Sequence, residues 1–246
     1  MSKLVSLTIT VPALNEEQNL KTTLEGIVKV LSDSGIDWEI ILVNDGSTDK
    51  TGDIASELAS QDPRIKVIHH KQPKGIGYCF REGIQSSTKD AITWLPGDGE
   101  NNPYELLKYL PILEHVDIVI PFVLNVGVRS WGRRFLSTLY IWLINLSFGT
   151  MFNYSNGTAI YRRSVFQVVK PQANGFFFPA ESLIKAVRAG FIFAEVPVRL
   201  EKRLEGYSKL MSFKSLCLVI WEFIRLFYAV HILRTAGRGF GAEVKN

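Results

Sequence analysis

Through the first half of the chain, short uninterrupted apolar runs alternate with stretches of helical periodicity, and few folds accommodate that pattern. Leu4–Val11, Glu39–Val43, Lys66–His69 and Ala91–Leu95 read as strands. Between them, Glu16–Leu31, Asp49–Ser60 and Gly77–Ser86 read as helices, with Ser47 or Thr48 as the N-cap of the second. A strand that is apolar at successive positions must be covered on both faces, which argues for an α/β fold with a mostly parallel central sheet flanked by helices. Ligands of such sheets sit beyond the carboxyl ends of the strands. The loops there are Pro12–Glu16, Asn44–Ser47, Lys74–Gly77 and Pro96–Glu100, all polar or glycine-bearing.

The second half has a different character. After a further strand at Asp117–Pro121, Arg129–Gly149 carries Phe135, Leu136, Leu139, Trp142, Leu143 and Leu146 at helical spacing, with Arg129, Arg133, Ser137 and Tyr140 on the other side. Ser215–Leu233 is long enough to span a bilayer by count. It carries Glu222 and Arg225, however, which share a narrow polar stripe with Lys214. Charges in the middle of a spanning helix cost about 2.5–3.5 kcal/mol each, so an interfacial or protein-packed helix is expected. The organisation expected is a main unit over residues 1–210, with an amphipathic helix near 129–150, and an amphipathic helix and tail over 211–246.

Charge follows the same division. Residues 1–124 hold 11 Lys+Arg against 18 Asp+Glu, a net −7, whereas residues 125–246 hold 17 against 6, a net +11. The basic half therefore suits an anionic partner such as lipid phosphate. A nucleic-acid binder would use the same charge, but no recognised module is present and the aromatics lie on amphipathic helices, so no nucleic acid is expected. The first residues lack the apolar stretch of a signal peptide, which gives the expectation of a cytoplasmic protein, peripheral on a membrane. Cys79 and Cys217 match no metal or redox spacing and read as reduced thiols.

Three loops carry candidate chemistry. In Val43-Asn-Asp-Gly-Ser-Thr-Asp49, Asn44 and Asp45 follow a buried strand, where an amide and a carboxylate can read a nucleobase edge or a ribose hydroxyl. The same residues also make a plain strand–turn–helix junction. In Leu95-Pro-Gly-Asp-Gly-Glu100, Asp98 and Glu100 stand two positions apart on a glycine-flexed loop. They suit a hard divalent cation, Mg²⁺ or Mn²⁺, which keeps waters and substrate phosphates as its other ligands; the segment is equally a good turn. In Glu201-Lys-Arg-Leu-Glu-Gly-Tyr-Ser-Lys209, Arg203, Ser208 and Lys209 suit phosphate oxygens, or form a solvated loop. Lys74-Gly-Ile-Gly77 is a weaker phosphate-loop candidate, and His69 and His70 read as a strand end rather than as ligands. No Ser-His-Asp pattern occurs and no GxGxxG follows the first strand, which disfavours a dinucleotide enzyme.

Taken together, the segments resemble GT-A-fold, Rossmann-like glycosyltransferases of the dolichol-phosphate-mannose-synthase and polyprenyl-phosphate type. The resemblance runs from Leu7 to about Leu226. It is carried by Val11-Pro-Ala-Leu-Asn-Glu16, Val43-Asn-Asp-Gly-Ser-Thr-Asp49, Lys74-Gly-Ile-Gly77, Gly97-Asp-Gly-Glu100 with Pro103, Gly157 before Tyr161-Arg-Arg163, Ala194-Glu-Val-Pro-Val198 and Arg203-x-x-Gly-x-Ser-Lys209. The chain departs from the family pattern at Pro96, which stands at the first Asp of an Asp-x-Asp-x-Gln loop, and at Leu14, Asn44, Asn153 and Thr158-Ala159.

The resemblance implies a metal-dependent, inverting transfer of a sugar from a GDP- or UDP-sugar to a polyprenyl or dolichyl phosphate at the membrane surface. It implies that Pro12, Asn15, Glu16, Asn44 and Asp45 hold the nucleoside, with Lys74, Gly75 and Ser208 beside them. Asp98 and Glu100 hold the metal, and Arg203 and Lys209 steady phosphates. An anionic acceptor phosphate needs no general base; if the acceptor were a sugar hydroxyl of a glycan or glycolipid, Glu181 is the candidate base. A membrane partner protein would fit, and an idle nucleotide-sugar-binding homologue is the rival from another class.

Overall fold

The computed structural model describes residues 6–99, 101–125, 131–199 and 213–233, without the side chains of Arg133 and Phe213. Seven strands form one sheet: β1 (Leu7–Ala13), β2 (Trp38–Asn44), β3 (Ile65–His69), β4 (Ala91–Trp94), β5 (Ile118–Val123), β6 (Ile160–Arg162) and β7 (Phe193–Val198). Their spatial order is β3-β2-β1-β4-β6-β5-β7. Every pairing is parallel except those of the three-residue β6, which runs antiparallel between β4 and β5. The carboxyl ends of β1, β2, β3 and β4 therefore lie along one edge, and their loops converge there.

The continuous apolar runs have the cause expected of them. In β1, Leu7, Ile9 and Val11 face one core, shared with Leu20, Leu24, Ile27 and Leu31 of α1 (Leu20–Ser34). Thr8 and Thr10, equally buried, face the other side, where Gly83 of α3 (Ile76–Ser86) packs so closely on Thr10 that a Cβ would overlap its side chain. In β2, Ile40 and Leu42 join the first core while Ile41 and Val43 meet Cys79 of α3. The second face holds an aromatic core of Phe80, Trp94, Tyr161, Phe166 and Phe178.

Several boundaries moved. The second helix, α2, begins at Thr51, after Ser47 and Thr48, and neither of those residues caps it; Asp49 Oδ1 instead accepts the Thr51 N–H at 3.0 Å. Ser47 and Thr48 tie the loop to Asn15 (Ser47 Oγ accepts the Asn15 N–H, and Asn15 Oδ1 accepts the Thr48 N–H). The sequence reading did not include α4 (Pro103–Leu107), a 3-10 turn at Leu110–Glu114, β6, α6 (Val165–Val168) and β7, which are short, or α7 (Phe178–Arg188), which is buried on most of its residues.

The two long helices of the second half are α5 (Trp131–Phe148) and α8 (Phe213–His231). Both leave a row of hydrophobes exposed, while Ile144 and Phe148 of α5 and Glu222, Leu226 and Val230 of α8 face inward. On α5, Trp131 is 78% exposed, and Phe135, Leu136, Leu139, Trp142 and Leu146 are exposed with it. On α8, Glu222 is 2% exposed whereas Trp221 beside it is 57% exposed. Phe148 joins the two helices through edge contacts with Phe223 and Phe227. Among the described residues no helix is long and apolar enough to cross a membrane.

One buried carboxylate fastens the sheet at its amino end. Glu39 of β2 accepts bonds from Thr8 Oγ1 (2.8 Å), Thr88 N (2.6 Å) and Lys66 Nζ (2.9 Å), linking β1, β3 and the approach to β4. Burial raises its pKa, but the Thr88 N–H, Lys66 and the hydroxyls outweigh that and bring it down from 4.5 to about 2. A depressed carboxylate pKa adds stability that is complete above the unfolded value and is lost as pH falls through the folded one. We therefore expect Glu39→Gln to be less stable than the wild-type chain at neutral pH and to lose less further stability between pH 4.5 and about 2. Urea denaturation at a series of pH values checks this; parallel pH profiles for the two proteins would contradict it.

Candidate active site

The loops at the carboxyl ends of the strands enclose a cavity of about 370 Å³. Its walls come from the end of β1 and the loop after it (Pro12, Ala13, Leu14, Glu16), Asp45 just after β2, the approach to α3 and its first residue (Pro73–Ile76), Trp94 of β4 and the loop after it (Pro96–Asp98), the segment Asn174–Phe176, and Ser215 and Leu218 of α8. Of the residues singled out in the sequence, Pro12, Glu16, Asp45, Lys74, Gly75 and Asp98 line this one cavity. Asn15 and Asn44 stand behind it: Asn15, with φ of 53°, braces Thr48, while Asn44 Oδ1 accepts the Ser47 N–H and its amide meets His69 Nδ1 at 3.2 Å. Glu100, Arg203, Ser208 and Lys209 lie outside the described residues.

Asp45 is almost wholly buried. Its carboxylate accepts the Lys74 N–H at 2.8 Å and the Gly75 N–H at 2.9 Å, and Oδ1 lies 2.7 Å from His70 Nδ1. The other ring nitrogen of His70 lies 2.5 Å from Glu82 Oε2. A carboxylate–imidazole–carboxylate chain thus fixes the loop between β3 and α3 against the end of β2. Lys74 extends from this loop, its ammonium 4.4 Å from the ring centre of Tyr78 and 3.9 Å from Glu82.

Across the cavity runs the segment Gln172–Phe176, which the sequence reading missed. Asn174 O accepts the Gly77 N–H at 2.8 Å, and Ala173 O accepts from Arg81 Nη1 at 2.7 Å. A Cβ on Gly75, whose φ is +102°, would overlap Asn174 O, and one on Gly77 would overlap Ala173 O. The glycines of Lys74-Gly-Ile-Gly77 therefore admit this second segment as well as any ligand. Glu181 supports it from behind: buried on α7, it accepts the N–H groups of Gln172 (2.8 Å) and Ala173 (2.6 Å) through Oε2, and pairs with Lys185 through Oε1 at 2.7 Å. It does not line the cavity.

Asp45, His70 and Cys79 place their ligand atoms within 4.8 Å of one another, a grouping that no sequence spacing announced. Burial first, then the charge of Asp45, pushes the Cys79 thiol well above its ordinary pKa. Thiol and imidazole donors favour soft or borderline metals, and both oxygens of Asp45 already accept backbone N–H bonds. Asp98, half-buried on the cavity wall and flanked by Gly97 and Gly99, is the carboxylate whose chemistry suits a hard oxygen-seeking cation.

Residues 8–169 match the family model described as glycosyl transferase family 2. This chain is a family 2 glycosyltransferase. It is similar to polyprenol monophosphomannose synthase of Mycolicibacterium smegmatis, with 28% identity over 218 residues covering 82% of this chain and 80% of that one. It is likewise similar to undecaprenyl-phosphate mannosyltransferase of Micrococcus luteus, at 26% identity over 211 residues, covering 81% and 85%. Among solved structures, glucosyl-3-phosphoglycerate synthase of Mycobacterium tuberculosis, in complex with Mn²⁺, UDP and glucosyl-3-phosphoglycerate, superposes with a TM-score of 0.63 at 20% identity, over 90% of this chain and 79% of that one. At that identity the likeness establishes the GT-A-like fold of the glycosyltransferase.

The hydrogen bonds of Asp45 give a direct expectation. Asp45→Asn keeps the shape but turns an NH₂ group toward a backbone N–H, leaving a buried donor unsatisfied at a cost of about 1–3 kcal/mol. Chemical denaturation measures the loss; unchanged stability would show that the carboxylate does not hold this loop.

Proposed function

We propose that this glycosyltransferase moves a sugar from a nucleotide-diphospho-sugar to a polyprenyl phosphate, with inversion, while docked peripherally on the cytoplasmic face of a membrane. The observation that carries the acceptor is the outward apolar face of α5 and α8, since α8 also lends Ser215 and Leu218 to the cavity wall. Contiguous exposed apolar surface on two neighbouring helices, in the basic half of the chain, suits a lipid boundary. The polyprenyl-phosphate enzymes among its relatives support the same reading.

In this reading Asp45, Glu16 and Pro12 hold the nucleoside beside Lys74 and Gly75, with Asn15 and Asn44 bracing their loops. Asp98 with Glu100 would hold Mg²⁺ or Mn²⁺, which when bound supplies charge neutralisation at the diphosphate; the Mn²⁺ and UDP of the solved relative support that choice. Arg203, Ser208 and Lys209 would steady phosphate oxygens. An oxygen of the acceptor phosphate attacks the anomeric carbon as the bond from that carbon to the diphosphate breaks, and the nucleoside diphosphate leaves. The attacking oxygen is already anionic near neutral pH, so no side chain has to take a proton. Catalysis is then mainly positional and electrostatic. A second cavity of about 520 Å³ at the end of β5, lined by Arg134, Ser137, Thr138 and Tyr154, offers a guanidinium and hydroxyls suited to the acceptor phosphate.

A second reading, transfer to a hydroxyl of a glycan, glycolipid or small metabolite, is favoured by the glucosyl-3-phosphoglycerate synthase fold relatives. It would need a base, and Glu181 would first have to leave the N–H groups of Gln172 and Ala173 and the ammonium of Lys185.

The test is release of nucleotide from a panel of UDP- and GDP-sugars, with Mn²⁺ or Mg²⁺, with and without a polyprenyl phosphate in vesicles. Wild type and Asp98→Ala are compared. We expect lipid-dependent release that falls by a factor of about 10² or more in the variant. Release that depends on a soluble hydroxyl acceptor instead would favour the second reading, and no turnover with any donor would favour an idle homologue.

A further inference from the structure

Four successive backbone N–H groups of the segment lining the cavity end on two buried glutamates from different helices. Glu181 of α7 takes those of Gln172 and Ala173. Glu222 of α8 takes those of Asn174 at 2.7 Å and Gly175 at 3.1 Å, both through Oε1. On the opposite side the carbonyls of Ala173 and Asn174 are held by Arg81 and the Gly77 N–H of α3. The segment is therefore a strap pinned between α3 and two carboxylates, and its next residues, to Phe176, form the cavity wall.

Glu222 is costly where it sits. It is a carboxylate 2% exposed in the middle of a helix whose outer face is apolar, and its Oε2 is buried with no hydrogen-bond partner among the described residues. The desolvation of that carboxylate is offset by the Asn174 and Gly175 N–H groups, whereas the seating of α8 against Phe177 and Phe148 is made by its neighbour Phe223. What Glu222 supplies is directional: two charge-assisted bonds that fix the height of Asn174 and Gly175. Gly175 in turn packs so closely under Leu218 of α8 that a Cβ there would overlap it.

We propose that Glu222 is a positioning residue for the donor cavity, the latch by which α8 sets the strap against the Lys74–Gly77 loop. The inference rests on reading this cavity as the nucleotide site. Losing the latch frees two N–H groups and lets the strap lift, so ligand affinity falls while the sheet beneath is untouched.

The experiment is calorimetric titration of UDP and of GDP, each with Mn²⁺, into the full chain, alongside thermal midpoints, for wild type and three variants. Glu222→Ala should weaken the bound nucleotide by about tenfold or more, the order expected for losing buried charge-assisted bonds. Glu222→Gln, which keeps an acceptor oxygen for Asn174 and Gly175, should stay within about threefold of wild type and serves where the alanine variant does not fold. Leu226→Ala removes packing from the same helix without touching the strap, and should lower the midpoint with a similarly small change in affinity. Wild-type affinity in Glu222→Ala, a loss in Leu226→Ala as large as in Glu222→Ala, or failure of Glu222→Gln to rescue would each overturn the latch. A wild-type chain that binds neither nucleotide would instead overturn the donor-cavity reading, and the latch with it.

Discussion

The buried carboxylate of Asp45 is the contact on which the cavity depends. It stands at the end of a strand buried on both faces, and it satisfies the Lys74 and Gly75 N–H groups that would otherwise be orphaned at the start of α3. Through His70 it is tied to Glu82 in the second turn of that helix. This arrangement fixes α3, and α3 in turn holds the strap at Ala173 and Asn174. Sheet, helix and strap are thus placed in sequence, each by polar bonds to backbone, which have direction where apolar packing has little.

The second half works by a different principle. α5 and α8 each expose a row of hydrophobes, and α8 buries Glu222 beside Leu226 and Val230. Two inward glutamates, Glu181 and Glu222, are used on backbone N–H groups of a loop that has no secondary structure to satisfy them. Irregular backbone at the wall of a ligand cavity needs such support, and in this fold it comes from the buried helix α7 and from α8, whose outer face is exposed.

Much of this was legible in the residues. Strands buried on both faces announce themselves as largely apolar runs, so β1, β2, β4 and β5 could be read directly, and the edge strand β3, half-exposed, was read from its β-branched Val67 and Ile68. Asp45 and Asp98 were singled out because a carboxylate in the loop beyond such a run can face a ligand, although each segment reads equally well as a plain turn. The strap was not legible, because Gln172–Phe176 carries no periodicity and its partners Glu181 and Glu222 lie up to 48 residues away. Glu222 was read as part of a polar stripe without a side, since periodicity gives the face of a helix and not what that face meets. Glu181 stood out only as a candidate base, and its bonds to Gln172 and Ala173 come from tertiary placement that spacing does not encode. The Asp45–His70–Cys79 grouping was missed for the same reason: two loops and a helix bring it together.

In the proposed function the nucleotide lies between the Lys74–Gly77 loop and the strap. Hydrogen–deuterium exchange of the backbone amides, with and without saturating UDP or GDP and Mn²⁺, tests this most directly. The account predicts slowed exchange on binding in Ala13–Glu16, Lys74–Gly77 and Gln172–Phe176 together, with α2 and the outer turns of α1 unchanged. Protection confined to another face of the sheet, or binding that leaves all three segments exchanging as before, would contradict it.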